Sequence, residues 1–130
     1  MHNVDMAKIL IVEDDDLLRE AYKTKLSSSG FEVETSIDGK EALAKAREWE
    51  PDLIILDMML PGMNGLEFLL KYDIRNRKYP TKVIAYSVLD SLDTIKEATV
   101  LGVSHYLTKH NVTPNELVGE IEKLLKTEKK

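Results

Sequence analysis

Four places in this sequence carry side chains able to do chemistry together: Glu13-Asp14-Asp15-Asp16, Asp57, Ser87 and Thr108-Lys109. Each follows a short apolar run, respectively Ile9 to Val12, Leu53 to Leu56, Val83 to Tyr86 and His105 to Leu107, the last of mixed character. If those runs are parallel strands, all four groups lie at carboxyl ends, where open α/β sheets form their crevices. Carboxylates crowded on one rim raise each other's pKa, and a divalent cation removes that cost. All-oxygen ligation with few protein carboxylates suits Mg²⁺. Asp14 and Asp57 are read as direct ligands, the Met59 backbone carbonyl as a third, and Glu13 as acting through water. A carboxylate beside a metal ion and an ammonium can attack a phosphoryl group and form an acyl phosphate. Asp57 is then the nucleophile. Lys109 and the metal neutralise charge on the transferring oxygens, and Ser87 hydrogen-bonds one of them.

The elements that must hold these groups are legible in the hydrophobic pattern. Ile9 to Val12, Leu53 to Leu56 and Val83 to Tyr86 are continuously apolar, as strands buried on both faces are. Phe31 to Thr35 alternates, and the run around His105-Tyr106-Leu107 is short, so these two are expected at the edges. Capping signals open three helices: Asp38 to Glu41, Asn64 to Glu67, and Thr113-Pro114-Asn115-Glu116. Expected inward faces are Ala42, Leu43, Ala46 and Trp49; Leu66, Leu69, Leu70 and Ile74; and Leu117, Ile121, Leu124 and Leu125. Residues 90–101 form the least periodic helix. Five strand–helix units with short connections give an α/β, (βα)5 doubly wound parallel sheet. Internal strands one, three and four fit the flavodoxin-like order 2-1-3-4-5.

Bulk properties narrow the field. The chain has 130 residues, 43% hydrophobic and 32% charged, which suits one soluble domain. No second domain, fixed-period repeat or low-complexity stretch is present. Cysteine is absent, which excludes thiolate metal sites and cysteine nucleophiles. A net charge of −5 argues against direct nucleic-acid binding, and the basic end (Lys126, Lys129, Lys130) is read as a solvated tail. There is no apolar run long enough for a bilayer, and Met1 to Lys8 holds no apolar leader, so a cytoplasmic location is expected, away from any membrane. The histidines (His2, His105, His110) have no metal-ligand spacing.

The segments Ile9-Leu10-Ile11-Val12-Glu13-Asp14-Asp15, Asp57-Met58-Met59-Leu60-Pro61-Gly62-Met63-Asn64-Gly65 and Tyr106-Leu107-Thr108-Lys109 closely resemble the response-regulator receiver family. The resemblance implies one receiver domain over residues 1–130, with a core from about 7 to 127. It implies phosphoryl transfer to Asp57 from a sensor histidine kinase or a histidine phosphotransfer protein, and from small acyl phosphates. Such a protein is a switch that catalyses only its own phosphoryl transfer and dephosphorylation. It further implies that Ser87 and Tyr106 move together and reshape the helix 4–strand 5–helix 5 face, where a downstream protein binds.

Three positions depart from the family pattern. Ser87 stands where Thr is more frequent, Val88 where Ala or Gly is common, and His110 where Pro usually follows the lysine. The Lys109–His110 bond is either trans with an altered loop, or cis at about 2.5–4 kcal/mol. Met59, Val88 and Leu89 are expected to shield the acyl phosphate from water. A flavin carrier on the same fold would need a phosphate-binding loop, not four acids, after strand one. An aspartate-nucleophile phosphatase would need an acid where Met59 stands. The third rival is a receiver-shaped interaction module that is never phosphorylated.

Overall fold

The computed structural model describes residues 7–128. Ten regular elements alternate: β1 (Lys8–Val12), α1 (Asp16–Ser28), β2 (Glu32–Ser36), α2 (Gly39–Trp49), β3 (Leu53–Leu56), α3 (Gly65–Tyr72), β4 (Lys82–Ser87), α4 (Leu92–Val100), β5 (His105–Thr108) and α5 (Pro114–Glu128). A 3-10 turn, Ile74–Asn76, follows α3. The strands form one parallel sheet in the order β2-β1-β3-β4-β5, the flavodoxin-like order expected. His2, Lys129, Lys130, the Lys126 side chain and the outer limits of a 1–130 domain lie outside the described residues.

Alternation along the central strands builds two apolar layers. Leu10, Val12, Ile54, Leu56, Val83 and Ala85 face α2, α3 and α4. Ile9, Ile11, Leu53, Ile55, Ile84 and Tyr86 face α1 and α5. Burial on both faces is why these strands read as unbroken apolar runs. The caps follow the sequence signals. Asp38, Asn64 and Thr113 accept from the backbone N–H of Glu41, Glu67 and Glu116, and Glu116 accepts in return from the Thr113 N–H.

Two expectations are corrected, for the third helix and for strand two, and one alternative left open by the sequence is decided. The third helix does not carry Leu70 and Ile74 on its inward face. Phe68, Leu69 and Tyr72 fill that face, Leu66 and Ile74 are only partly buried, and Leu70 is 63% exposed. The helix stops at Tyr72 because Asp73 turns left-handed (φ 57°), so Ile74 lies beyond the reach of the helical period. Strand two is shifted by one residue; Phe31 precedes it as a buried anchor. No cis peptide occurs among the described residues, so of the two alternatives Lys109–His110 is trans.

Candidate functional site

The parallel ladder delivers each acid to one rim. The Asp57 N–H donates to the Val12 carbonyl (3.1 Å) and the Lys109 N–H to the Ser87 carbonyl (2.9 Å), so pairing continues one step past the strands. Glu13 is fixed likewise, its N–H donating to the Ser36 carbonyl (3.1 Å) at the end of β2. Asp15 caps α1 by accepting from the Leu18 N–H, which turns the chain sharply and leaves Asp14 exposed at the apex. Arg19, one turn into α1, donates to the carbonyl oxygens of Glu13 (3.0 Å) and Asp14 (3.4 Å) and pins that turn.

Asp57 is buried and fully hydrogen-bonded. Its Oδ1 accepts from the Met59 N–H (2.9 Å) and from Ser87 Oγ (3.0 Å). Its Oδ2 accepts from Lys109 Nζ (2.9 Å), which also donates to Glu13 Oε1 (2.7 Å). Carboxylate oxygens of Glu13, Asp14 and Asp57 lie within 4.8 Å of one another. If all three are ionised, one ammonium leaves two negative charges unbalanced, which is the charge of a divalent cation. The chemistry of this donor set fits a hard, oxygen-seeking ion such as Mg²⁺.

Electrostatics follow the burial. Desolvation raises Glu13 above its ordinary value, and its bonds to Lys109 and to the Asp15 N–H only partly offset this. Burial alone would lower Lys109, but its bonds to Glu13 and Asp57 outweigh that and hold it above the ordinary lysine value. Lys109 therefore stays an ammonium at neutral pH.

Glu13, Asp14, Asp57, Ser87 and Lys109 meet here, Met59 joins through its N–H, and Tyr106 joins indirectly. Its hydroxyl donates to the Leu89 carbonyl (2.8 Å), while the Leu89 N–H donates to Ser87 Oγ (3.3 Å). Leu89 thus links Ser87 to the aromatic of β5. Met59 and Leu89 line a cleft beside Asp14, together with Leu60, Pro61 and Thr94. Val88 is outside that cleft's lining and is 44% exposed. Sequence reading missed Arg19 and Tyr86. Arg19 bonds backbone oxygens, which leave no mark in a sequence. Tyr86 was hidden by its place in an apolar run, where a phenol carried the only signal.

The family model of the response regulator receiver domain matches residues 9–122. The alkaline phosphatase synthesis transcriptional regulatory protein PhoP of Bacillus subtilis is 33% identical over 119 residues, 92% of this chain and 48% of PhoP. Protein PilG of Pseudomonas aeruginosa is 31% identical over 118 residues, 91% of this chain and 87% of PilG. A solved CheY-like receiver domain protein from Methanospirillum hungatei superposes with a TM-score of 0.87 at 30% identity, covering 95% of this chain and 97% of that one. The chemotaxis protein CheY4 of Vibrio cholerae gives 0.81 at 32% identity, covering 91% and 98%. The chain spans about half the length of several curated relatives it matches, PhoP among them. Sequence and superposition agree from the first strand into the last helix, and the chain belongs to the response regulator receiver domains, the phosphoryl-accepting switches of two-component systems.

Proposed function

We propose that Asp57 is the phosphoacceptor of this switch, with Lys109 and Ser87 as its catalytic partners. The observation that carries this is the convergence on one buried carboxylate of Lys109 Nζ, Ser87 Oγ and the acids Glu13 and Asp14. Asp14, Asp57 and the Met59 carbonyl would hold Mg²⁺, with Glu13 acting through water. When bound, the ion supplies charge neutralisation on the phosphoryl oxygens.

The chain's own residues do the rest. An Asp57 carboxylate oxygen attacks phosphorus, and the bond to the donor's imidazole nitrogen breaks. The electron pair stays on that nitrogen and, with the ring's other nitrogen already protonated, the imidazole leaves neutral. The product is a mixed anhydride at Asp57. Lys109 follows the oxygens that acquire charge, and Ser87 exchanges its bond to Asp57 for one to a phosphoryl oxygen. The chain catalyses only this transfer and its own dephosphorylation, in which water attacks phosphorus, the Asp57 carboxylate leaves and inorganic phosphate is released.

The donor is a histidine kinase or a histidine phosphotransfer protein, and the output partner binds the face made by α4, β5 and α5. The Ser87–Leu89–Tyr106 connection supports that route, since it links the site to β5. Direct nucleic-acid binding is not part of this reading, given the net charge of −5. A cytoplasmic location accords with a kinase-fed switch, and no helix among the described residues is long and apolar enough to cross a membrane. The unit is one receiver domain. The test is incubation with Mg²⁺ and acetyl phosphate: wild type gains one phosphoryl mass, and Asp57→Asn gains none. Wild type that stays unmodified would leave only an unphosphorylated interaction module.

A further inference from the structure

Lys109 has a neighbour beyond its two carboxylates. Its ammonium stands over the ring of Tyr86, 5.8 Å from the centroid. Tyr86 is the next-to-last residue of β4, immediately before Ser87. Because neighbours on a strand face opposite sides, Ser87 reaches Asp57 while Tyr86 enters the layer under α1 and α5. There the Tyr22 ring meets it edge to face, with centroids 5.7 Å apart and planes at 60°. The Tyr86 hydroxyl donates to the Val112 carbonyl at 2.6 Å. Burial pushes this phenol above its ordinary value, so it remains a donor.

We propose that Tyr86 is a positioning residue for Lys109: its ring supports the ammonium beside Asp57, and its hydroxyl anchors the loop that follows. The proposal rests on the reading of Asp57 as phosphoacceptor. An ammonium has three protons to donate. Glu13 and Asp57 take two. A ring face attracts the cation without occupying a donor, so the third proton stays available to a transferring phosphoryl oxygen. The hydroxyl answers a separate need. Lys109–His110 is trans, and within the loop 109–112 the Asn111 and Val112 N–H groups donate to the Thr108 carbonyl and Asn111 Nδ2 donates to Thr108 Oγ1, all local bonds to the end of β5. The bond from Tyr86 ties its far end to β4, the strand that already binds the Lys109 N–H through Ser87. Tyr22 completes the support by holding the Tyr86 ring from α1.

Phe and Leu at position 86 separate the two roles. In the full chain, the Lys109 ε-methylene protons should show a ring-current shift in wild type and in Tyr86→Phe, and lose it in Tyr86→Leu. With Mg²⁺ and acetyl phosphate, the maximal rate should fall about fivefold in Tyr86→Leu, the equivalent of about 1 kcal/mol. The half-saturating concentration should not move, and Tyr86→Phe should retain the rate. Amide exchange at Lys109 to Val112 should quicken in both variants. If Leu fails to fold, Tyr86→Met, an unbranched filler without a ring, makes the same comparison. An unchanged Lys109 resonance in the ringless variant overturns the proposal, as does a Phe variant as slow as Leu. Wild type that takes up no phosphoryl group would remove the reading of Asp57, while the Lys109 resonance would still decide the positioning.

Discussion

At the scale of single residues, the site is an unequal contest between burial and pairing. Glu13 and Asp57 are both buried and share one ammonium, so Glu13 lacks a full partner. Burial raises its carboxyl above the ordinary 4.5, and the shared ammonium offsets that only in part. A carboxyl raised in the folded state binds its proton more tightly there than when unfolded. Its contribution to stability is therefore greatest below the ordinary value and is lost as pH climbs through the raised one. Urea melts in EDTA, taken across that acid window, should show this loss, and Glu13→Gln should flatten it. Lys109 acts at the other end: its contribution holds below the ordinary 10.5 and disappears as pH climbs through its raised value. For Met59 and Leu89 the proposed role is to shield the acyl phosphate. Both line the cleft beside Asp14, and Met59 is 51% exposed there. Replacing them together by polar residues (Met59→Asn, Leu89→Glu) should admit water and shorten the acyl phosphate lifetime. A tenfold shortening corresponds to about 1.4 kcal/mol in the barrier. First-order phosphate loss from purified protein measures it, and an unaltered lifetime sinks the shielding argument.

At the scale of elements, the loop from β3 into α3 matters most, because it carries Asp57 and Met59 and then turns into a helix without slack. Gly65 opens α3 with its N–H on the Met58 carbonyl (3.0 Å), and a Cβ there would lie 2.7 Å from the Met58 Cα. Backbone cannot yield as a side-chain tip can. Gly65→Ala should cost about 1–3 kcal/mol by the usual measure of overpacking. Gly119 is the control, since a Cβ in that exposed position of α5 meets nothing within 4 Å. Gly119→Ala should stabilise the protein by about 0.5–1 kcal/mol. Thermal melts of the two variants should move in opposite directions. These elements also explain what the sequence could and could not reveal. β1, β3 and β4 were readable because burial on both faces leaves unbroken apolar runs, and those runs end at the chemistry. The capping signals were readable because each is a residue type with a side-chain acceptor, set three residues before the backbone N–H it binds and the Glu that carries it. The inward face of α3 was misread because Leu70 is as apolar as Leu69, and only packing separates them. α4 gave little pattern because Ala98 is its only fully buried residue. Tyr86 beneath Lys109 is a contact between strands, and sequence spacing says nothing of those.

At the scale of the whole molecule, the sheet order creates the acidic site at all. Glu13 and Asp14 follow β1, Asp57 follows β3 and Lys109 follows β5, and they are separated by up to 96 residues. Only the folded order brings them within reach of a common ion; the unfolded chain scatters them. An ion that binds the folded state alone stabilises it by an amount set by its concentration relative to its dissociation constant. Mg²⁺ at a hundredfold excess over that constant should therefore add about 2.7 kcal/mol to the unfolding free energy. The gain should shrink in Asp14→Asn, where an exposed carboxylate of the proposed site is lost with little disturbance of packing. It should also fade on acidification, as protons compete for the same oxygens. Asp14→Asn separates site binding from general salt effects, since its other charges are intact. Equal stabilisation of wild type and Asp14→Asn would mean that Mg²⁺ acts on the protein's diffuse negative charge. In that case the acids gathered by the sheet would not form a metal site.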